Sequence, residues 1–566
     1  MRRFATRLPR RLPRRFASNS ASSSSSPSWS YLTTGVGLGA AGLATSFALL
    51  TPPAASVMAE EGEFTLDEVR AHATLETGIW VVHDGNVYDV TAFIAEHPGG
   101  SAKIMLAAGG SVEPFWKVYK QHDAPAVRTK LASMRIGALA KADASSLSAA
   151  LAKDTSDPYC NEPTRHPALR VTKEQPFNAE TPVELIADNW ITPNELWYCR
   201  HHHPVPVVDP ATFELVVTVD EPLRPALAFE RGAKAASELR LSLDDIKTRF
   251  PKRLVTTTLQ CAGNRRGELS EHGKTSGLQW TAGTLSTATF GGVYLRDLLA
   301  EGLTISEQTA RRIGVEHVQF RGIDAPYDAS VPVHKALSAE GDVLLAYEMN
   351  GEELPREHGY PLRIIIPGVV GARNVKWVDR IVISNEVAHS AWQRNVQYRG
   401  YSPNVKNFKG VEPTIAAPVY ELPVQSAICE PASGTKVYEE DGEAEVEVKG
   451  YAYSGGGRGI TRVDVSADGG KTWTTATLGK GSHQAMHKAW AWTLWTASVP
   501  LPKTTVETSE KTGGETAANE NKVKIVCKAV DASYNSQPEQ TAPIWNLRGI
   551  LNNAWHGVEV EVVKEE

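Results

Sequence analysis

Apolar and charged residues alternate in several runs near the end of the chain. Ala444-Glu445-Val446-Glu447-Val448-Lys449, Val463-Asp464-Val465 and Val558-Glu559-Val560-Glu561-Val562 all repeat with period two, as strands with one buried face do. Asp468-Gly469-Gly470-Lys471 is a turn between such runs. Short strands with frequent turns predict a β-sandwich over residues 416–566, with the polar run Lys503–Asn521 as an inserted loop. Earlier, Ile79–Val82 and Val87–Val90 flank His83-Asp84-Gly85-Asn86, and Asp-Gly between β-rich runs marks a hairpin. Thr65-Leu66-Asp67-Glu68 has the form of a capping box that opens a short helix, and Ala102–Ala108 reads as helical. Residues 160–415 mix short β-rich runs, helical runs and Gly/Pro turns. The fold class expected is therefore multidomain α+β: a small domain over 60–140, a flexible linker over 141–159, a mixed α+β domain over 160–415 and the sandwich, of immunoglobulin-like type, over 416–566.

Residues 1–59 are different in kind. They hold seven arginines, no acid and the serine tract Ser22–Ser26, which is the composition of a mitochondrial presequence. Tyr31–Leu50 then runs for twenty residues without a charge, long enough to cross a bilayer, though rich in Gly, Ala and Thr. Two outcomes are open. The run is a sorting signal cut near Ala54–Ala59, releasing the protein to the mitochondrial intermembrane space, or it stays as an anchor and is the one membrane contact.

Charge sharpens the contrast. The chain carries −6 and its leader +7, which leaves −13 for residues 60–566. An acidic body does not suit nucleic acid; it suits a basic protein partner drawn in at long range. Five cysteines stand far apart with no CxxC pair, so neither a disulfide framework nor a zinc site is signalled.

The small domain contains His97-Pro98-Gly99-Gly100 and a second histidine, His122. Two buried imidazoles fill both axial positions of a haem iron and restrict it to one-electron transfer. With Tyr88-Asp89-Val90-Thr91 ahead of them, these residues resemble the cytochrome b5 family over about eighty residues. The resemblance implies haem b with His97 and His122 as its axial ligands; His83 has no role in it.

Three segments of the middle domain carry chemistry. In Arg200-His201-His202-His203-Pro204-Val205-Pro206 the adjacent histidines alternate in direction on a strand, so they do not converge on one ion. In Cys261-Ala262-Gly263-Asn264-Arg265-Arg266 a cysteine lies among small and basic residues that stabilise a thiolate, a soft metal ligand; a buried structural cysteine is the alternative. Arg363, Arg373 and Lys376 lie in Gly-rich loops that suit a phosphate, or form a basic surface loop.

Together with TPNEL, LLAYEMNG and HGYPLR in the same order, these segments resemble the sulfite oxidase family of molybdopterin enzymes over nearly all of residues 160–566. The resemblance implies a molybdenum-molybdopterin cofactor with Cys261 as the protein ligand, and cofactor contacts from Arg200, His202, Asp324, His358, Arg363 and Lys376. It implies sulfite as substrate, met by Arg200, by Arg458 of Gly455-Gly456-Gly457-Arg458, and by Tyr398 after Trp392-Gln393-Arg394. One residue more than the family pattern precedes that tyrosine, which makes Tyr401 the fallback. The family pattern reads Arg-Asn-His-Leu-Pro-Val-Pro, so His201 replaces Asn and His203 replaces Leu.

A homodimer through residues 416–566 and cytochrome c as electron acceptor are also implied, with the linker a tether on which the haem domain swings. Nitrate reductase is the nearest rival, but there the haem module follows the molybdenum module and a flavin module comes next; here the haem module comes first and no flavin module is seen. A non-enzymatic haem protein is the other rival. Retention of Cys261, Arg200 and Arg458 argues against it.

Overall fold

The computed structural model describes residues 62–140, 158–324, 327–439, 443–502 and 521–564. The leader with its uncharged run, nearly all of the linker and most of the polar loop at 503–521 lie outside the described residues. Among the described residues no helix is long and apolar enough to cross a membrane.

The N-terminal part is a six-stranded sheet in the order Gly62–Phe64, Arg135–Leu139, Asn86–Asp89, Gly78–His83, Ala73–Thr74, with Gly110–Ser111 added in parallel to Gly78–His83. The expected hairpin is present. Asp84 and Gly85 adopt φ of 47° and 69°, the paired positive φ of a tight two-residue turn, and Val82 pairs with Val87. The expected capping box is present too: Thr65 Oγ1 accepts from Glu68 N at 3.2 Å, and the Glu68 carboxylate accepts from Thr65 N at 2.7 Å. Helices Ser101–Ile104, Glu113–Val118 and Pro125–Ala132 share a core with this sheet through Ile79, Val81, Val90, Phe115, Trp116 and Leu131.

Two five-stranded sheets dominate the middle. One runs Glu238–Ser242, Glu214–Val219, Val378–Ser384, His317–Gly322, Asp328–Pro332. The other runs Arg253–Gln260, Leu285–Tyr294, Leu344–Met349, Glu352–Glu353, with Arg363–Ile365 also paired to Leu344–Met349. Leu285–Tyr294 is buried on both faces over most of its length, so its sequence does not alternate. Gly292 is dictated by that packing, since a Cβ there would lie 2.0 Å from Leu345 O.

The C-terminal part is β-rich. A four-stranded sheet (Gln425–Glu430, Glu445–Tyr453, Thr493–Pro500, Thr477–Leu478) and a five-stranded one (Thr435–Glu439, His556–Lys564, Lys522–Asp531, Ile460–Ser466, Thr474–Thr475) enclose one core. Two of the three period-two runs lie as expected: Val446, Val448, Val558, Val560 and Val562 are buried, and Glu445, Glu447 and Glu559 face solvent. In the third, Asp464 is buried with Val463 and Val465 and is bonded by Arg462 and Thr475. Tyr451, Tyr453 and Trp492 belong to the core of the middle sheets, so these two parts are packed as one. Lys103 joins the N-terminal part to both, pairing with Asp188 and with Glu430.

Candidate functional site

Two cavities carry chemistry. The first is formed where the short strand Cys199–Arg200, the loop after Arg253–Gln260 and the Gly-rich loops around Arg363 and Lys376 converge. Cys261, Arg200, His202, Asp324, His358, Arg363, Lys376 and Tyr398 all line it. Of the candidate site residues, Arg373, Tyr401 and Arg458 are missing from its wall.

Each side chain is held from behind. Strand pairing of Asn178 with Arg200 brings the Asn178 side-chain oxygen Oδ1 to 3.1 Å from the Arg200 guanidinium, which also donates to His201 O at 2.5 Å and to His202 Nε2 at 3.1 Å. Cys261 leaves its strand with its N–H on Thr284 O at 2.9 Å, and Gly263 N donates to its sulfur at 3.4 Å. Gly263 has no room for a side chain, since a Cβ would meet Arg266 at 2.3 Å. Lys376 Nζ donates to Glu357 O at 2.9 Å and Arg363 to His358 O at 2.7 Å.

Burial sets the charges. It pushes His202 down to about 2, with the Arg200 guanidinium adding to the effect, and holds His201 and His358 well below the ordinary histidine value. Lys376 is lowered to about 7 and Arg363 to about 10 by the same desolvation, and the Asp324 carboxyl is raised by burial. The result is a cleft of buried imidazoles held neutral, basic side chains and one carboxyl around a cysteine.

That set fits a molybdopterin. Cys261 offers a thiol, Arg363 and Lys376 offer donors for a phosphate, and buried polar atoms stand without a protein partner at Arg363 Nε and His201 Nδ1. Unpaired buried atoms in a native fold call for a ligand or water.

Several sequence readings change. Arg265 turns away from Cys261, whereas Arg266 keeps an electrostatic interaction with it. Arg265 is fully buried and binds Glu268 and the carbonyls of Ala554 and Trp555; Arg266 binds the carbonyls of Leu278 and Gly549. Both tie the cysteine loop to the end of the chain. Arg373 does not meet a phosphate site either, since it donates to Gln393 Oε1 at 2.6 Å and to the Trp392 and Val419 carbonyls. Arg458 was expected to point into the cavity. Its guanidinium instead binds Glu421 at 2.7 Å and Asp531 at 3.3 Å, two carboxylates that supply its countercharge. Of the two candidate tyrosines only Tyr398 lines the cavity; Tyr401 donates to Pro413 O at 3.4 Å. Tyr198, Tyr327 and Trp377 also line the wall, although none was among the expected site residues.

The second cavity, about 770 Å³, lies in the N-terminal part between His97 and His122. Their rings are parallel to within 1° with centroids 6.3 Å apart. This is too wide for stacking but matches two imidazoles on one metal, at about 2 Å per metal–nitrogen bond and roughly 1 Å from each nitrogen to its ring centre. Nδ1 of His97 donates to Gly100 O at 3.0 Å and Nδ1 of His122 to Tyr119 O at 2.9 Å, which leaves both Nε2 lone pairs for a metal. Val81, Val90, Phe93, Ile104 and Leu131 make the walls apolar. The residues fit a haem. Leu185, Asp188 and Asn189 of the middle part close one side.

Comparison with known proteins agrees with this geometry. The cytochrome b5-like heme/steroid binding domain matches residues 65–140, the oxidoreductase molybdopterin binding domain residues 202–392, and the Mo-co oxidoreductase dimerisation domain residues 416–563. The mitochondrial sulfite oxidase of Rattus norvegicus is 47% identical over 506 residues, covering 88% of this chain and 84% of that one. The chain belongs to the sulfite oxidase family. The sulfite oxidase of Gallus gallus is 46% identical over 87% of this chain and 98% of its own. Among solved structures, the sulfane dehydrogenase SoxCD of Paracoccus pantotrophus superposes with a TM-score of 0.51 at 26% identity, covering 68% of this chain and 84% of that one. As a member of the sulfite oxidase family the chain combines a molybdopterin domain, a haem domain and a dimerisation domain, and the multidomain α+β class expected from sequence holds.

Proposed function

We propose that this chain oxidises sulfite to sulfate in the Cys261 cavity and passes the two electrons singly, through a haem between His97 and His122, to cytochrome c. One sulfite and one water give sulfate, two protons and two electrons. The observation that carries the reading is the pairing, in one chain, of a cleft that sets a cysteine among basic side chains with an apolar cavity holding two parallel imidazoles. When bound, the molybdenum cofactor supplies two-electron oxygen-atom transfer and the haem supplies one-electron steps.

The residues divide the work. Cys261 is the ligand to molybdenum. His202, Asp324, His358, Arg363 and Lys376 hold the pterin and its phosphate, together with Arg200. Arg200 and Tyr398 orient the sulfite anion from the cavity wall; Arg458 would join them only by leaving Glu421 and Asp531. Trp197 and Trp377 on the wall keep water away, which strengthens each of these electrostatic contacts.

The same reading divides the chain into a leader over 1–59, a haem domain over 60–140, a linker over 141–159, a molybdopterin domain over 160–415 and a dimerisation domain over 416–566. Cytochrome c as acceptor is supported by the −13 charge of residues 60–566, which draws in a basic partner. The intermembrane space is supported by the arginine-rich leader and by relatives named as mitochondrial.

An anaerobic visible spectrum of the holoprotein, taken before and after sulfite, tests the reading. Haem bands that turn to the reduced form within seconds support substrate, molybdenum chemistry and haem wiring together. Bands that stay oxidised with sulfite, in protein shown to contain molybdenum and reducible by dithionite, overturn it.

A further inference from the structure

Cys261 belongs to a closed ring of hydrogen bonds that lies behind the cavity wall. Its N–H donates to Thr284 O at 2.9 Å, and its carbonyl accepts from Asn264 N at 3.1 Å. The Asn264 side chain closes the ring: Oδ1 accepts from Thr284 N at 3.1 Å and from Thr284 Oγ1 at 2.8 Å. A backbone N–H only donates, so the amide oxygen faces Thr284 and Nδ2 faces the other way. There Nδ2 donates to the Tyr451 hydroxyl at 3.3 Å and to Gln425 Oε1 at 3.4 Å. Tyr451 in turn donates to Ala282 O at 2.9 Å, and Gln425 to Gln260 Oε1 at 2.8 Å. Asn264 and Thr284 are buried and neither lines the cavity.

The ring braces a turn under strain. Arg265, next in the chain, has φ of 61° and ψ of 29°, a left-handed conformation that a residue with a Cβ adopts only at a cost. Within the turn, Ala262 and Gly263 have no side chain long enough to steady the sulfur. What reaches it is the Gly263 N–H, at 3.4 Å, and the turn decides where that N–H points. A hydrogen bond on a thiolate ligand draws charge away from the metal it binds and so favours the reduced metal. We propose that Asn264 is a positioning residue for the metal ligand: by bonding Thr284 it fixes the turn that sets the Gly263 N–H against the Cys261 sulfur, and through that bond it raises the potential of the bound molybdenum. The inference rests on the reading of Cys261 as the ligand to molybdenum. Gln260 and Asn264, on either side of the cysteine, are both bonded to Gln425, so the C-terminal sandwich holds the same turn from outside.

Redox titrations of the full-length holoproteins, read by the paramagnetic signal of half-reduced molybdenum, test it. Asn264→Ala is expected to shift the one-electron reduction of molybdenum about tenfold towards the oxidised side, ~59 mV, with the haem potential unchanged. That variant loses several buried bonds and can fail to fold, so Thr284 supplies a second pair. Thr284→Val loses the bond from Oγ1 and is expected to shift about threefold in the same direction; Thr284→Ser keeps the hydroxyl and matches the unsubstituted protein. Equal potentials in Thr284→Val and Thr284→Ser, or a shift towards the reduced side in Asn264→Ala, overturn the proposal and leave Asn264 a structural residue. A Cys261→Ser protein whose molybdenum signal matches that of the unsubstituted protein overturns the ligand reading itself, and this inference with it.

Discussion

His202 Nε2 lies 3.1 Å from the guanidinium of Arg200, and the hydroxyl of Tyr398 approaches the same nitrogen at 3.3 Å. Two donors meant for an anion thus converge on one lone pair. Tyr327 and Trp392 pack against the ring at 4.9 and 5.3 Å between centroids and fix its plane. With its pKa pushed down to about 2 by burial and by Arg200, the imidazole stays a neutral acceptor across the working range.

His202→Ala frees both donors. Misplacement on the scale of 1 Å costs about 10²-fold, so kcat/KM for sulfite, counted per molybdenum, is expected to fall by about that factor. His202→Gln, which restores an acceptor, recovers part of it. The pH profile between 5 and 9 keeps its shape in both variants. A profile that loses a limb in His202→Ala shows that His202 titrates and removes this account.

How far the site was legible follows from how each residue reaches it. Cys261, Arg200, His358, Arg363 and Lys376 lie in short runs whose residue types already state a chemistry, and all five line the cavity. Tyr327 and Trp392 come to His202 from more than 120 residues away in sequence, a relation only folding creates. The basic pair after Cys261 was half informative for the same reason: a guanidinium within a few residues of a thiol acts on it only if the fold allows, and Arg266 interacts electrostatically with Cys261 while Arg265 turns to Glu268 and Ala554 O. Arg458 shows the limit of motif placement, since Glu421 and Asp531, which hold its side chain, lie 37 and 73 residues away. The period-two strands and the Asp84-Gly85 turn were readable because local geometry alone decides them.

The two haem histidines are not interchangeable with structural ones. Both spend Nδ1 on a backbone carbonyl, so loss of either ring removes one axial ligand and leaves the fold nearly intact. His97→Ala and His122→Ala are each expected to lose the paired-histidine haem spectrum while molybdenum content stays unchanged. Sulfite then still reduces a small artificial acceptor that draws electrons at the molybdenum site, but no longer cytochrome c. Persistence of cytochrome c reduction in either variant would falsify the haem route.

Lys103 is a charged link between the haem part and the rest, pairing with Asp188 and, at 2.8 Å, with Glu430. Its side chain is only 19% exposed, so salt screens it less than a surface pair. Leu185, Asp188 and Asn189 close one side of the haem cavity, and the link holds them there. Lys103→Glu places three carboxylates together. Amide hydrogen exchange over residues 183–189 and 113–118 is expected to rise in this variant at unchanged haem content, and to rise in the unsubstituted protein only at high salt. Exchange that is the same in both proteins at low salt means that the link does not hold the two parts together.

Lys376 ties the cofactor site to pH. Desolvation, with Arg363 beside it, brings its pKa down to about 7, against about 10.4 for an unfolded lysine. Between those values the unfolded chain holds a proton that the folded, cofactor-free protein has released, so stability rises with pH across the window, and the full penalty is present below 7. Lys376→Met removes the ionisable group. Cofactor-depleted Lys376→Met is therefore expected to melt higher than cofactor-depleted unsubstituted protein at pH 6, with the gap shrinking steadily towards pH 10. A bound phosphate reverses the preference, because it draws the proton back onto the lysine, so the unsubstituted protein takes up cofactor better at pH 6 than at pH 9, while Lys376→Met loses that dependence along with most of its affinity. Thermal melts of the depleted proteins at the two pH values, with pterin content after reloading, check both halves. A melting gap of the same size at pH 6 and pH 10 means that Lys376 keeps its proton in the folded cavity, and the reversal on reloading has no basis.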